Sequence, residues 1–235
     1  MNKKKASETQ QSKKFLYFED PVEREVLVGF IDRAVEYVHK NKIGVVVTGG
    51  SSAQPLLYLF RALWRKRYPD ERISFFTLPG VHIGMRTPEE IKALIERYRK
   101  TLATKLKNNE PVFLLEETVT SGETIRKIKR AFRNMGAENT SVGCLGAPGA
   151  TSAGKRKKIM KMLGIDVLGK LGDVPSFHSL RRMYIRRARR YSGIRRREAL
   201  RPIKQLRHDL KLIANEAAKK RGMKARFGKM RPRRK

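Results

Sequence analysis

Residues 112–124, VFLLEETVTSGET, constrain this chain more than any other stretch, because four apolar residues, two adjacent carboxylates and a small hydroxyl-rich turn follow one another. Four apolar residues in a row after Pro111 predict a strand buried on both faces, as in a parallel sheet. From Glu123 to Met135 the apolar positions Ile125, Ile128, Ala131, Phe132 and Met135 recur on one side of a helix. The turn between them therefore joins a strand C-terminus to a helix N-terminus. There, unpaired N–H groups and the positive end of the helix dipole favour an anion, Thr120, Ser121 and Thr124 add hydroxyls, and Gly122 lets the backbone approach. A phosphate fits those donors. Glu116 and Glu117, just before the turn, are placed to accept hydrogen bonds from vicinal hydroxyls of a ribose carrying that phosphate.

A plainer reading makes the same turn a helix cap, with Ser121 at the cap and Thr124 as the third helical residue, contributing stability alone. Glu123, an anion inside the proposed loop, leans toward that reading unless its side chain points outward. It would equally complement the helix dipole.

Strand and helix signals alternate through the preceding chain. Asp20-Pro21 starts a helix whose apolar face, Leu27, Phe30, Ile31, Ala34 and Val38, runs to about Lys40 and suits either a core or an interface. Ile43–Thr48 is a strand, Gly49-Gly50-Ser51-Ser52 a tight connection, and Ala53 to Arg67 a helix. Ile73–Leu78 is a second strand, and Thr87-Pro88-Glu89-Glu90 opens one long helix reaching about Lys107. Ser141–Ala147 and the short Ile165–Leu168 complete the strands. This order predicts an α/β fold, a Rossmann-like parallel sheet flanked by helices, in which ligands sit outside the strand C-termini. Both glycine-containing loops fall on that edge.

The division expected along the chain is a disordered basic tail at 1–14, the α/β domain at 15–175, a basic α-helical extension at 176–222 and a second basic tail at 223–235. In the extension, Leu180, Met183, Tyr184, Ala188 and Tyr191 mark one narrow apolar face. A further helix, Ala199 to Lys220, carries Ile203, Leu206, Leu210, Ile213 and Ala217, with Pro202 near its start.

Charge is distributed as unevenly as structure. The net charge is +33, and residues 151–235 hold +24 of it, 29 Lys plus Arg against five acids. Such a surface suits phosphate contact through Arg and points to RNA as a partner of residues 181–235, although a solvated helix face remains the plainer alternative. The single cysteine, Cys144, rules out an intramolecular disulfide and reads as a packing residue. His39, His82, His178 and His208 lack metal-ligand spacing, so no structural zinc is expected. No apolar run approaches the roughly 20 residues of a membrane span, and no signal-peptide core follows Met1, which predicts a soluble cytoplasmic protein without a membrane partner.

The run Leu114-Leu115-Glu116-Glu117-Thr118-Val119-Thr120-Ser121-Gly122-Glu123-Thr124 resembles the motif of the type I phosphoribosyltransferases: an apolar strand, two acids, two apolar residues, then Thr-(Thr/Ser)-Gly-x-Thr. Glu117 stands where Asp is usual, lengthening the side chain by roughly 1.5 Å, and Thr118 stands where an aliphatic residue is usual. The likeness covers about Phe15 to Asp173. It implies that Glu116 and Glu117 are the catalytic acids on the ribose, that Thr120, Ser121, Gly122, Glu123 and Thr124 hold the 5-phosphate, and that Thr48, Gly49, Gly50, Ser51 and Ser52 hold the pyrophosphate. It further implies 5-phosphoribosyl 1-pyrophosphate or a nucleotide as ligand, and magnesium bound through the ligand's pyrophosphate and ribose oxygens, with no protein metal site. The implied reaction is displacement of pyrophosphate at C1 by a nitrogenous base. By the same resemblance Phe177 is placed to stack on a base, with helix packing the plainer role. A lid is expected between Leu78 and Pro88, where His82, Gly84 and Arg86 are available, and a homodimer is an option. The alternative function is a catalytically inactive protein of this fold that binds RNA or the ribosome through its basic C-terminal helices.

Overall fold

The computed structural model describes residues 15, 17–50, 52–78, 86–147, 157–158, 160–162, 164–171 and 201–220. The two tails, Ser51, the centre of the expected lid, Phe177 and the arginine pairs of 181–197 lie outside the described residues.

Helix α1 (Pro21–Lys40) begins where the Asp20-Pro21 pair requires: the Asp20 carboxylate accepts the Val22 N–H at 2.8 Å, and Pro21 occupies a position whose N–H has no intrahelical acceptor. Its stripe of Leu27, Phe30, Ile31, Ala34, Val35 and Val38 is buried within this chain's own core. Strand β1 (Val45–Thr48), helix α2 (Gln54–Arg67) and strand β2 (Ser74–Thr77) follow. Helices α3 (Pro88–Tyr98) and α4 (Lys100–Lys107) precede β3 (Val112–Thr118), then come α5 (Glu123–Arg133), β4 (Thr140–Ala147) and β5 (Val167–Leu171).

The expected single helix over 88–107 is therefore two. Arg99 leaves helical geometry (φ −138°, ψ 53°), and its guanidinium Nε donates to the Thr77 carbonyl at 3.1 Å. The break coincides with the anchoring of this side chain to the end of edge strand β2. The start of α3 is as expected: Thr87 and Glu90 form a reciprocal capping box.

All five strands are parallel, in the order β2-β1-β3-β4-β5. Burial on both faces explains the unbroken apolar runs, since Val112, Phe113, Leu114 and Leu115 are all fully buried. Alternation splits them between two cores. Phe113, Leu115 and Val46 face α1 and α2, whereas Val112, Leu114, Val45 and Val47 face α3, α4 and α5.

A further helix, α6 (Arg201–Lys220), joins the first of these cores through Leu206, Leu210, Ile213, Ala214 and Ala217. Pro202 lies in its first turn, where no ladder bond is lost. Lys66 on α2 donates to the Ala214 carbonyl at 3.3 Å and to Asn215 Oδ1 at 2.6 Å, and the buried Asp209 accepts the Tyr17 N–H at 2.7 Å. Among the described residues no helix is long and apolar enough to cross a membrane.

Candidate functional site

The strand order reverses between β1 and β3. The chain moves outward from β1 to β2, then returns past β1 to place β3 on its other side, so helices leave the two strands on opposite faces of the sheet. A crevice at the strand C-termini is the usual outcome of such a reversal. The two loops singled out in the sequence, 48–52 and 118–124, follow the two strands that flank it.

Register brings these loops together. Thr48, the last residue of β1, pairs with Leu115, so β3 continues past the end of its neighbour. Glu116 then stands beside Gly49, whose N–H donates to Glu116 Oε1 at 2.9 Å. A side chain there would be crowded: a Cβ on Gly49 would lie 2.1 Å from Glu116 Oε1 and 2.9 Å from Ile128 Cδ1 of α5, so those side chains would have to shift. Gly50 is different, since a Cβ there would meet only open space. Thr48 is buried and donates to Thr77 Oγ1 at 3.1 Å, tying the ends of β1 and β2. Ser52 is half-buried.

The two acids are not equivalent. Alternation along β3 turns Glu116 toward Ile128 and the α5 side, and Glu117 toward the α1 and α2 side, where it is buried to 4% exposure. Burial pushes the Glu116 carboxyl up to about 7; the Gly49 N–H opposes that shift and the neighbouring Glu117 charge adds to it. Beside Glu116 on β4, Cys144 is buried, and its thiol is pushed above the ordinary range by loss of solvent. It is packed in the core on the α5 side of the sheet, with Sγ donating to the Gly146 carbonyl at 3.0 Å.

The second loop is anchored at its start by the Val119 N–H donating to the Gly146 carbonyl at 2.9 Å. Gly122 occupies the cap position of α5 in the left-handed conformation (φ 71°, ψ 7°), which a residue with a Cβ adopts with strain. The cap is therefore Gly122 and not Ser121, although Ser121 Oγ still accepts the Glu123 N–H at 3.3 Å. Thr120 and Ser121 are exposed and Thr124 is half-buried. Glu123 points outward to Lys127 one turn on, at 2.7 Å, and that cation holds its carboxyl below the usual range. Its charge is engaged away from the first-turn N–H groups.

Arg86, at the entry to α3 on the same edge of the sheet, has a buried Nε without a hydrogen-bond acceptor among the described residues. Its expected companions His82 and Gly84 lie outside them. Among the described residues no three metal-ligating side chains converge.

Sequence reasoning placed both loops on one edge but missed their direct bond. No local signal reports it, because Gly49 and Glu116 are 67 residues apart. The two glycine-containing loops meet at the strand reversal of a five-stranded parallel α/β sheet, an architecture compatible with a Rossmann-like fold. No family model matches the chain, and no curated protein matches it.

Proposed function

We propose that this chain is a type I phosphoribosyltransferase-like protein that binds a 5-phosphorylated ribose, as 5-phosphoribosyl 1-pyrophosphate or a nucleotide, and transfers the phosphoribosyl group to a nitrogenous base with release of pyrophosphate. The observation that carries this reading is the meeting of the two loops, through Gly49 and Glu116, at the reversal of the sheet. In this reading the 5-phosphate lies against the first turn of α5, where the N–H groups and the hydroxyls of Thr120, Ser121 and Thr124 are its donors. The ribose lies over Glu116, and the pyrophosphate over the loop that begins at Gly49. Displacement at C1 passes through an oxocarbenium-like state and needs no protein nucleophile. The residues contribute by holding the sugar and phosphate in line, with Glu116 available as a hydrogen-bonding group to the ribose. Magnesium, when bound through the ligand, supplies charge neutralisation on the departing pyrophosphate.

Calorimetry with 5-phosphoribosyl 1-pyrophosphate tests this at about 0.3 M salt, where a Debye length of roughly 5–6 Å suppresses loose polyanion binding. The expected result is magnesium-dependent binding that Ser121→Asp, which adds a carboxylate beside the exposed loop, weakens at least about tenfold, or roughly 1.4 kcal/mol. Absence of binding to the wild type sinks the reading.

A second reading is favoured by α6. With its apolar face against α1 and α2, the helix exposes Lys204, Arg207, His208, Lys211 and Lys219. This disposition supports an inactive protein of the same fold that binds RNA or the ribosome through its basic C-terminal part. RNA affinity that falls steeply with salt, with no binding of the sugar phosphate, is the outcome that selects it.

A further inference from the structure

We infer that Glu116 is a positioning residue, whose task is to fix where the chain leaves the sheet at Gly49, so that the loops after β1 and β3 face one ligand together. The inference rests on the sugar-phosphate reading above and assigns a role within that site.

Three observations converge on it. First, one oxygen of the carboxyl is already committed, since Oε1 accepts the Gly49 N–H at 2.9 Å. Second, the fit is tight: the missing Cβ of Gly49 would overlap Oε1 at 2.1 Å and approach the carboxyl carbon at 3.1 Å, with Ile128 Cδ1 closing the other side at 2.9 Å. The space beside Gly49 is thus filled by the Glu116 carboxyl and by Ile128 of α5. Third, among the described residues no cation acts on it. Its own strand contributes Glu117, whose charge repels it; β4 contributes the Cys144 thiol, bonded to Gly146; α5 contributes Ile128, while Lys127 is engaged by Glu123.

A carboxylate kept only to bind ribose hydroxyls would not need to abut a backbone N–H of the opposite loop. Glu116 instead serves both: Oε1 holds the loop, and Oε2 is left for the ligand. Glu117, on the other face of the strand, cannot substitute for it, because alternation directs its side chain away from α5.

The two halves of the site can be probed separately on the full chain, with inorganic pyrophosphate for the loop after β1 and ribose 5-phosphate for the loop after β3. Glu116→Gln retains an oxygen acceptor at the same reach, and Glu116→Ala removes it. Expected is pyrophosphate affinity close to wild type in Glu116→Gln but about tenfold weaker in Glu116→Ala, the effect of losing one hydrogen bond to a carboxyl group. The Gly49 amide, followed by NMR without ligand, should be slow to exchange in the wild type and in Glu116→Gln, and fast in Glu116→Ala. Equal loss of pyrophosphate in both variants, or no loss in Glu116→Ala, overturns the positioning role. If the wild type binds neither probe while the amide pattern holds, the sugar-phosphate reading is what fails.

Discussion

Glu116 Oε1 accepts the Gly49 N–H at 2.9 Å, so one hydrogen bond joins the ends of β1 and β3 across the reversal of the sheet. Gly49→Ala places a methyl group 2.1 Å from that oxygen and is expected to destabilise the fold by about 1–3 kcal/mol in urea unfolding. Adding Glu116→Ala removes the obstructing atom. The double variant should therefore be more stable than the sum of the two losses predicts, by about 0.5–3 kcal/mol. Strict additivity would show that the two residues do not touch.

The same carboxyl makes stability depend on pH. Its folded value of about 7 lies above the ordinary 4.5, so the native state holds the proton more tightly than the unfolded chain. Stability from this group is fully present below about 4.5 and is lost as pH rises through about 7, a change on the order of 3 kcal/mol. Glu116→Gln cannot titrate. Relative to wild type its Tm should rise between about pH 5 and about pH 8, by roughly 2–4 °C per kcal/mol for a chain of this length. A difference that is flat with pH would mean the carboxyl is not buried.

Helix α6 should behave as part of the core. Leu210 and Ile213 are each about 1% exposed against α1 and α2. Leu210→Ala or Ile213→Ala should each cost about 2–5 kcal/mol in chemical denaturation. A loss below about 0.5 kcal/mol, typical of surface positions, would show instead that this helix is a loosely attached appendage.

The outward side of α6 makes a separate prediction for RNA. Replacing Lys204, Arg207 and Lys219, which are exposed and form no ion pair among the described residues, with Gln should leave Tm nearly unchanged. The slope of log affinity against log salt for single-stranded RNA should fall by about 0.7 for each phosphate contact removed. An unchanged slope would place the RNA-binding surface elsewhere.

Particular elements show how far the residues could be read directly. The start of α1 at Pro21, the buried run of β3 and the start of α5 at Glu123 were legible because each is set by neighbours in the chain: a cap, a proline, an apolar run, a glycine turn. The loops of the candidate site were legible for the same reason. The break at Arg99 was not, because the periodicity of 91, 95, 102 and 106 continues unbroken, and the bond that accompanies the break goes to Thr77 on another element. Ser121 was likewise a reasonable cap by residue type, but the chain path through left-handed Gly122 moved the cap one residue on.

The basic character of the C-terminal third concealed its second role. Lysines and arginines on α6 suggested a surface, and the apolar positions Leu206, Leu210 and Ile213 suggested packing, without naming the partner. That partner is the layer formed by α1 and α2.

The sequence alone determined the alternation of strands and helices, the parallel sheet and the two small-residue loops, since these follow from local hydrophobic patterning and turn chemistry. Tertiary structure decided that β1 and β3 are neighbours, that Glu116 rather than Glu117 meets Gly49, and that α6 closes the core. Strand order, register and helix docking arise from contacts between residues distant in the chain, and no local pattern encodes which of them will meet.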